Sequence, residues 1–352
     1  MKIALIELGG SHDECLYSHI KIIKSTADTD LTLICSESLK ENVKLYDSVD
    51  NKWFVSLRSG LKQWIDIYRL WRRCKKEQFD KIVLNTAQGK TISRFLRFPF
   101  GAKTKFYGIL HDTKKIGSSH SQKIISRKVK RYFILNEYLA QNIKNEHKHD
   151  LKFAVFYPIF FPTYPQIPVD KKDDELWVCI PGQVELKRRD YKSLFDSIAT
   201  HGIKKNVKIL LLGKYGHAHG DGEYVLGKIN DLSVSDHFLV WKTFIPVDTF
   251  HVMVQHSDFI LPLIHEESDS GNLYKTQISG AYNLAVAYRK PLLMEKHVID
   301  TLADYECIAY QKDDIMKTIN SLEKSTPAEL YTHEKWSFDF QKANYLAFLD
   351  IS

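Results

Sequence analysis

Short apolar strands alternate with amphipathic helices along almost the whole chain, and this alternation limits the folds that the sequence can adopt. In the first half, strands are predicted near residues 2–8, 31–35, 81–84, 105–110, 132–135 and 153–157. Helical segments separate most of them. A β-α alternation of this kind is typical of an α/β fold whose parallel sheet carries helices on both faces.

The alternation is interrupted once, by a segment that suits neither a helix nor a strand. Residues 157–168 contain four prolines, and the charged residues 170–175 follow directly. Proline donates no backbone hydrogen bond and disfavours helix at the residue before it. The pattern then restarts, with strands predicted at 176–180, 207–212, 238–241, 259–263 and 291–294. We therefore predict two Rossmann-like, doubly wound domains, at 1–165 and 173–335, and a C-terminal helix within 336–352 that packs back toward the first domain.

In doubly wound domains the ligand sites lie beyond the carboxyl ends of the strands. In the first domain, Gly9 and Gly10 follow the first strand, and His12 and Asp13 come next. The glycines let the backbone approach a ligand closely, and a following helix start attracts anions. His111 ends the strand at 105–110, where an imidazole can donate to a ligand or act as a base.

The second domain begins with a glycine and a run of cations. Gly182 follows its first strand, and Lys187 and Arg188 come shortly before a predicted helix. Cations are electrostatically unfavourable at a helix start unless they face an anion. This pattern predicts a phosphate-binding element.

A polar segment follows the strand at 259–263 and precedes a helix predicted at 277–288. Its acid Glu266 has the chemistry to hold sugar hydroxyls, and backbone amides at a helix start hold phosphate. The donor-binding candidates here are Ser270, Gly271, Asn272, Lys275 and Thr276.

These landmarks, taken in chain order, resemble the GT-B glycosyltransferases, especially the large retaining family of bacterial mannosyl- and glucosyltransferases. The similar elements are Gly9-Gly10, His111, Gly182 with Lys187-Arg188, the stretch 244–262 and the stretch 280–292. Two positions depart from that family. Gln183 stands where an arginine is expected, and Leu284 stands where a second acidic residue is expected.

The resemblance implies two domains that face each other across a cleft, with the acceptor bound by the first and a nucleotide-diphosphate sugar by the second. It implies transfer of the sugar to a saccharide or lipid-linked saccharide acceptor in cell-surface polysaccharide synthesis. Lys187 and Arg188 would offset charge on the departing diphosphate, and Glu266 and His111 would position the sugar. In an inverting reaction His12 or Asp13 would be the base. The resemblance implies no cofactor and no metal.

Two other functions fit the same features. A sugar-nucleotide epimerase has the same architecture and needs no acceptor. The other is a non-catalytic GT-B subunit that depends on a partner chain. The absence of an acid at Leu284 is compatible with this function.

Charge is unevenly divided along the chain. Residues 1–170 contain 29 Lys and Arg against 17 Asp and Glu, whereas the whole chain contains 50 against 43. Within the basic half, an apolar stripe repeats at helical spacing, at Leu61, Trp64, Ile65, Tyr68 and Trp71. The stripe fits either a helix packed in the core or one lying on an anionic bilayer. No recognition motif for nucleic acid accompanies it.

The remaining features narrow the class of protein. The five cysteines are scattered without a CxxC pair, which predicts free, mostly buried thiols. His217 and His219 lie in a glycine-rich stretch and predict no metal site. The first residues resemble a strand and not a signal peptide, so we expect a cytoplasmic location, with peripheral membrane attachment as an extension of it.

Overall fold

The computed structural model describes residues 1–143, 150–216, 220–302, 304–324 and 329–351. The chain forms two compact units. The first comprises Met1–Pro162, Thr276–Ile278 and Ser337–Ser352, and the second comprises Thr163–Lys275 and Ser279–Trp336. Each unit contains one sheet whose strand pairs are all parallel.

The first unit contains a seven-stranded sheet in the order β3-β2-β1-β4-β5-β6-β7. Its strands are β1 (Lys2–Glu7), β2 (Asp30–Ser36), β3 (Asn51–Val55), β4 (Lys81–Leu84), β5 (Lys105–Leu110), β6 (Arg131–Ile134) and β7 (Lys152–Val155). Its helices are α1 (Leu16–Ile23), α2 (Lys62–Glu77), α3 (Gly89–Phe95), α4 (Lys115–Ser118), α5 (His120–Ile125) and α6 (Glu137–Gln141).

Strand β1 shows why this sheet is covered on both faces. Successive side chains of a strand point to opposite faces. Ala4 and Ile6 join one apolar core, and Ile3 and Leu5 join another. A strand with two buried faces needs an uninterrupted apolar run, and the sequence of β1 supplies one.

The second unit contains a six-stranded sheet in the order β10-β9-β8-β11-β12-β13. Its strands are β8 (Leu176–Pro181), β9 (Val207–Lys214), β10 (Phe238–Trp241), β11 (Phe259–Ile260), β12 (Leu292–Glu295) and β13 (Cys307–Tyr310). Its helices are α7 (Tyr191–His201), α8 (Asp221–Asp231), α9 (Val247–His256), α10 (Asp269–Tyr274), α11 (Gly280–Tyr288), α12 (Lys296–Ile299) and α13 (Ile315–Ser321).

Two strands were not predicted from the sequence, β3 and β13, and both lie at an edge of a sheet. An edge strand has a neighbour on one side only and is less completely buried. Each of these two strands has a single buried residue, Trp53 in β3 and Tyr310 in β13. Neither strand therefore has the run of buried residues that marks inner strands such as β1 and β8.

Both sheets reverse their winding direction at one point, between β1 and β4 and between β8 and β11. The crevice at the carboxyl ends of strands beside such a reversal is the usual ligand site of doubly wound folds. The loops that follow these four strands are therefore the places to look for chemistry.

The C-terminal helix α14 (Phe338–Phe348) belongs to the first unit, as predicted. Its residues Tyr345 and Leu346 enter the apolar core that contains Ile3 and Leu5. The chain end is also tied to the sheet, because the buried Lys81 ammonium donates to the carbonyls of Leu349, at 2.6 Å, and Asp350, at 3.0 Å.

We expect Lys81→Met to lower the free energy of unfolding by about 1–3 kcal/mol, because it leaves buried carbonyls without their charged donor. The measurement is urea denaturation of the full chain. Lys103→Met, at an exposed lysine, is the matched control and should cost little. Equal losses in the two variants would contradict the proposed anchoring of α14.

Candidate functional site

In the first unit, the side chains of Glu7, Asn85 and Thr86 meet beside the reversal point. The Glu7 carboxylate is buried at the end of β1. It accepts hydrogen bonds from the Gly9 amide at 2.7 Å, the Asn85 side chain at 2.8 Å and the Thr86 hydroxyl at 2.6 Å. Burial raises the pKa of Glu7 despite these three bonds.

Glu7 changes the interpretation of the first glycine turn. The Gly9 amide is engaged by a carboxylate inside the turn. No α-helix starts directly after Gly10 either, because a 3₁₀ turn at Asp13–Cys15 precedes α1. The turn therefore differs from the anion-binding loop that the sequence predicted.

His12 is held in an uncommon conformation next to this turn. Its φ of 69° lies in the left-handed region, which non-glycine residues occupy rarely. The Asn85 side chain donates to the His12 carbonyl at 2.7 Å. Backbone strain maintained by such contacts is found often at functional sites.

The ring of His12 has two neighbours. It stacks on the ring of His111 at 3.8 Å between centroids, and its Nδ1 lies 3.3 Å from a carboxylate oxygen of Glu14. Desolvation lowers the pKa of His12, but the hydrogen bond and the charge of Glu14 prevail, so the pKa is raised.

His111 is a neutral partner. Burial and the neighbouring His12 lower the pKa of His111 to about 3. Its Nε2 lies 2.8 Å from the Asn85 carbonyl. A carbonyl only accepts hydrogen bonds, so Nε2 carries the proton.

Asp13 is a second titratable group in the same turn. The Asn42 side chain donates to its carboxylate at 3.0 Å. Burial and the charge of Glu14 raise the pKa of Asp13 to about 6. Groups that titrate close to neutral pH are suited to proton transfer, so His12 and Asp13 both remain candidate bases.

In the second unit, two glycines are required where the turn after β8 meets the end of β9. Gly182 has a φ of +98°, and a Cβ on Gly213, at the end of β9, would lie 2.1 Å from the Gly182 carbonyl oxygen. The two glycines bring the backbones after β8 and β9 into close contact at the carboxyl edge of the sheet.

The sequence predicted that the cations after this turn lie at a helix start, but they lie before it. Helix α7 begins at Tyr191, and its N-cap is Asp190, whose carboxylate accepts from the Ser193 amide at 3.2 Å. Lys187 and Arg188 are exposed in the preceding turn. The helix start is therefore already occupied by a carboxylate.

Arg189 is the buried cation of this element, and nothing in the sequence distinguishes it from its two neighbours. Its guanidinium donates to the carbonyl oxygens of Gln183, at 2.8 Å, and Pro181. Its Nε has no hydrogen-bond partner among the described residues. Within the described residues no carboxylate pairs with Arg189, so its partners beneath the Gly182 turn are these two neutral carbonyls.

Arg188 connects two of the predicted donor-binding segments. Its Nε donates to Glu185 at 2.8 Å, and its guanidinium also hydrogen-bonds to Tyr274. Tyr274 ends α10. The turn after Gly182 and the segment 270–275 therefore lie together within the second unit.

Residues 269–274 of this polar segment form the short helix α10. Its N-cap Ser268 accepts from the Gly271 amide at 3.3 Å. A Cβ on Gly271 would lie 2.2 Å from the His265 carbonyl oxygen, so only glycine fits this approach. Ser270 is buried at the same place.

The remaining candidates of this segment divide between the two units. Asn272 accepts from the Lys275 ammonium at 3.3 Å, in the second unit. Thr276 belongs to the first unit, where its carbonyl accepts from the Thr113 amide at 3.0 Å. The helix that follows, α11, begins only at Gly280, so Thr276 does not lie at a helix start.

The backbone of Glu266, in the loop after β11, meets the side chain of Glu295, at the end of β12. Glu266 is exposed, and its amide donates to the buried side chain of Glu295 at 2.6 Å. Leu284 is buried in α11, as its apolar character requires. The second acid near Glu266 is therefore Glu295, which directly follows the apolar run of β12.

Beneath these loops, His265 connects three elements. It is fully buried, with Nδ1 2.8 Å from Asp190 and Nε2 3.0 Å from the Tyr310 hydroxyl. Burial would raise the pKa of Asp190, but its hydrogen bonds to His265 and Ser193 hold that pKa well below its usual range. These contacts position the loop that carries Glu266.

Three further predictions concern metals, thiols and membrane spans. Within the described ranges, no three His, Cys, Asp or Glu side chains are grouped as a metal site, and His217 and His219 lie outside those ranges. All five cysteines are free, and four are buried. In the part of the chain that the structure describes, no helix combines the length and the apolar character needed to cross a bilayer.

Comparison with known proteins gives a result for structure only. No family model matches the sequence, and no curated protein matches it. Among solved structures, Anabaena Alr3699/HepE in complex with UDP and glucose superimposes with a TM-score of 0.70 at 13% identity, over 99% of each chain. The chain has the GT-B fold.

Two further chains of similar structure are named for an activity. UDP-GlcNAc 2-epimerase from Methanocaldococcus jannaschii gives a TM-score of 0.63 at 12% identity, over 99% of each chain. A glycosyltransferase from Rickettsia africae gives 0.58 at 11% identity, over 99% of this chain and 93% of that one. Identities this low establish the GT-B fold alone.

Proposed function

We propose that this GT-B chain is an enzyme that acts on nucleotide-diphosphate sugars, and specifically a glycosyltransferase. The observation that carries the proposal is the carboxyl edge of the second sheet. There the glycine turn at Gly182, the buried Arg189 and the Arg188–Tyr274 contact lie together. Chains of the same fold have been solved with UDP-glucose and with UDP-GlcNAc.

In the proposed reaction, Lys187 and Arg188 offset the negative charge that develops on the departing diphosphate. Arg189 adds to the positive potential beneath the turn, and Glu266 holds hydroxyls of the donor sugar. Metal is not required for these roles, because fixed cations stabilise the leaving group.

His12 or Asp13 takes the proton of the acceptor hydroxyl if the transfer inverts the sugar. His111 stays neutral beside His12 and orients it by stacking. If the transfer retains the configuration, the leaving phosphate takes the proton and no protein base is needed. We propose a saccharide acceptor, carried on a lipid, of a cell-surface polysaccharide pathway.

Epimerisation of the sugar nucleotide is the second candidate function. The observation in its favour is that several chains of similar structure are named UDP-GlcNAc 2-epimerases. Such an enzyme would convert its substrate without any acceptor.

The two functions are distinguished by the products formed from UDP-glucose and UDP-GlcNAc, incubated with and without saccharide acceptors in excess EDTA. The transferase proposal predicts release of UDP and a new glycoside, only when an acceptor is present. An isomerised sugar nucleotide formed without acceptor would support the epimerase. Activity lost in EDTA and restored by manganese would contradict the metal-independent mechanism.

A further inference from the structure

Helix α2 has two opposite apolar faces, and only one of them packs against the first sheet. Ile67, Leu70 and Cys74 are buried in the core of that unit. On the other side, Leu61, Ile65 and Tyr68 are 86%, 49% and 43% exposed. These three positions are spaced i, i+4 and i+7, so they form one stripe along the helix. These three members of the apolar repeat therefore point outward and are not explained by the core, whereas Trp71 packs against its edge.

Aromatic rings extend this stripe on one flank. The ring of Phe98 lies 5.2 Å from that of Trp71, 5.8 Å from Tyr68 and 6.4 Å from Trp64, between centroids. The Trp71 Nε1–H donates to the Pro99 carbonyl at 2.8 Å. The rings are thus fixed in position and only partly covered.

Cations surround the stripe, and the acids nearby are neutralised. The exposed cations of α2 are Lys62, Arg69, Arg72, Arg73, Lys75 and Lys76. Its two acids form ion pairs, Asp66 with Arg58 and Glu77 with Lys2. We call the outward stripe, its aromatic flank and these six cations the α2 surface.

We propose that the α2 surface docks on an anionic lipid bilayer, with Leu61 and Ile65 entering the acyl boundary. Tryptophan and tyrosine suit the headgroup level, and lysine and arginine are attracted to anionic headgroups. An amphipathic helix of this composition lies in the plane of the membrane.

Other occupants fit the α2 surface less well. In a two-fold contact with a second copy, the same patch appears on both partners, so these cations would oppose one another. Single-stranded nucleic acid would use the aromatic rings and the cations but leaves the exposed aliphatic side chains without a partner. The proposal concerns this surface alone and does not depend on the reaction that the protein catalyses.

The test is co-sedimentation of the full chain with vesicles of phosphatidylcholine, with and without phosphatidylglycerol, at low and high salt. We expect binding only to the anionic vesicles, and weaker binding at high salt because screening shortens the reach of the charges. Arg72→Glu with Lys76→Glu should weaken binding by more than about thirtyfold, because removing the two cations alone accounts for that factor. Leu61→Ser with Ile65→Ser removes the side chains that enter the acyl boundary. This variant should therefore bind more weakly even at low salt, where attraction between charges is strongest.

The matched control is Lys40→Glu with Lys44→Glu. These two exposed lysines have the same i, i+4 spacing. The buried residues beside them, Val43 and Tyr46, belong to the core on the opposite face of the first sheet. This variant should bind vesicles like the wild type. Equal losses in the two charge variants, or binding that ignores lipid charge, would overturn the proposal. So would a wild-type dimer that Leu61→Ser with Ile65→Ser dissociates, or retention by single-stranded RNA with no binding to vesicles.

Discussion

Replacing Lys187 and Arg188 together with alanine is expected to weaken binding of a nucleoside diphosphate by about 10²- to 10⁴-fold. Each charge-assisted hydrogen bond contributes about 1.5–3 kcal/mol, and only the diphosphate carries the charge that these side chains face. Binding of the corresponding nucleoside should change little. Isothermal titration with UDP and with uridine measures both effects.

The double variant needs a control with the same loss of charge. Lys204→Ala with Lys205→Ala provides it, because this exposed pair precedes β9 and lies at the opposite edge of the same sheet. The control should bind UDP like the wild type. Equal weakening for UDP and uridine would remove Lys187 and Arg188 from the diphosphate site.

Replacing His12 with asparagine is expected to lower kcat by about 10²- to 10⁴-fold, the usual contribution of a positioned base. Asparagine is the suitable substitution because it tolerates the left-handed backbone that His12 adopts. The variant should therefore fold normally, which thermal unfolding checks. His120→Asn, at an exposed histidine of the same unit, is the control and should keep full activity.

The pH profile separates a base from a structural histidine. A base must be neutral to accept a proton, so kcat/KM should rise with pH through the raised pKa of His12. Glu14→Gln removes the charge that raises this pKa while keeping the shape of the side chain. The acid limb of the profile should then move to lower pH. An unchanged kcat in His12→Asn would exclude His12 as the base and leave Asp13 as the base or a retaining transfer.

The sequence predicted the fold well because a local signal specifies it. Strands such as β1 and β8 are buried on both faces, so their residues form apolar runs that are visible without the structure. The Gly182 turn was predictable for a similar reason. Glycine is required where the backbone adopts a positive φ or approaches another chain segment closely.

The sequence did not reveal the polar residues whose role depends on burial. Glu7 is the last residue of an apolar strand, and its contacts with Asn85 and Thr86 come from another strand end. Arg189 looks like its two neighbours in the cation run, and only its packing beneath Gly182 separates it from them. Contacts between distant parts of the chain decide these cases, and no local pattern encodes them.

The α2 surface shows the same limitation in another form. Periodicity correctly indicated a helix with an apolar face, but it did not indicate whether that face was inside or outside. The buried residues Ile67 and Leu70 lie on the opposite side from the stripe at Leu61, Ile65 and Tyr68. A helix with two apolar faces requires the structure to assign each of them.

The central claim is that a nucleotide diphosphate binds at the carboxyl edge of the second sheet, and hydrogen–deuterium exchange with and without UDP tests it most directly. The account predicts that UDP slows exchange in peptides covering 182–190 and 265–275, since bound phosphate and ordered loops protect backbone amides. Peptides covering the exposed start of β9, around Lys204 and Lys205, should be unaffected. Protection confined to other segments, or no protection at saturating UDP, would contradict the account.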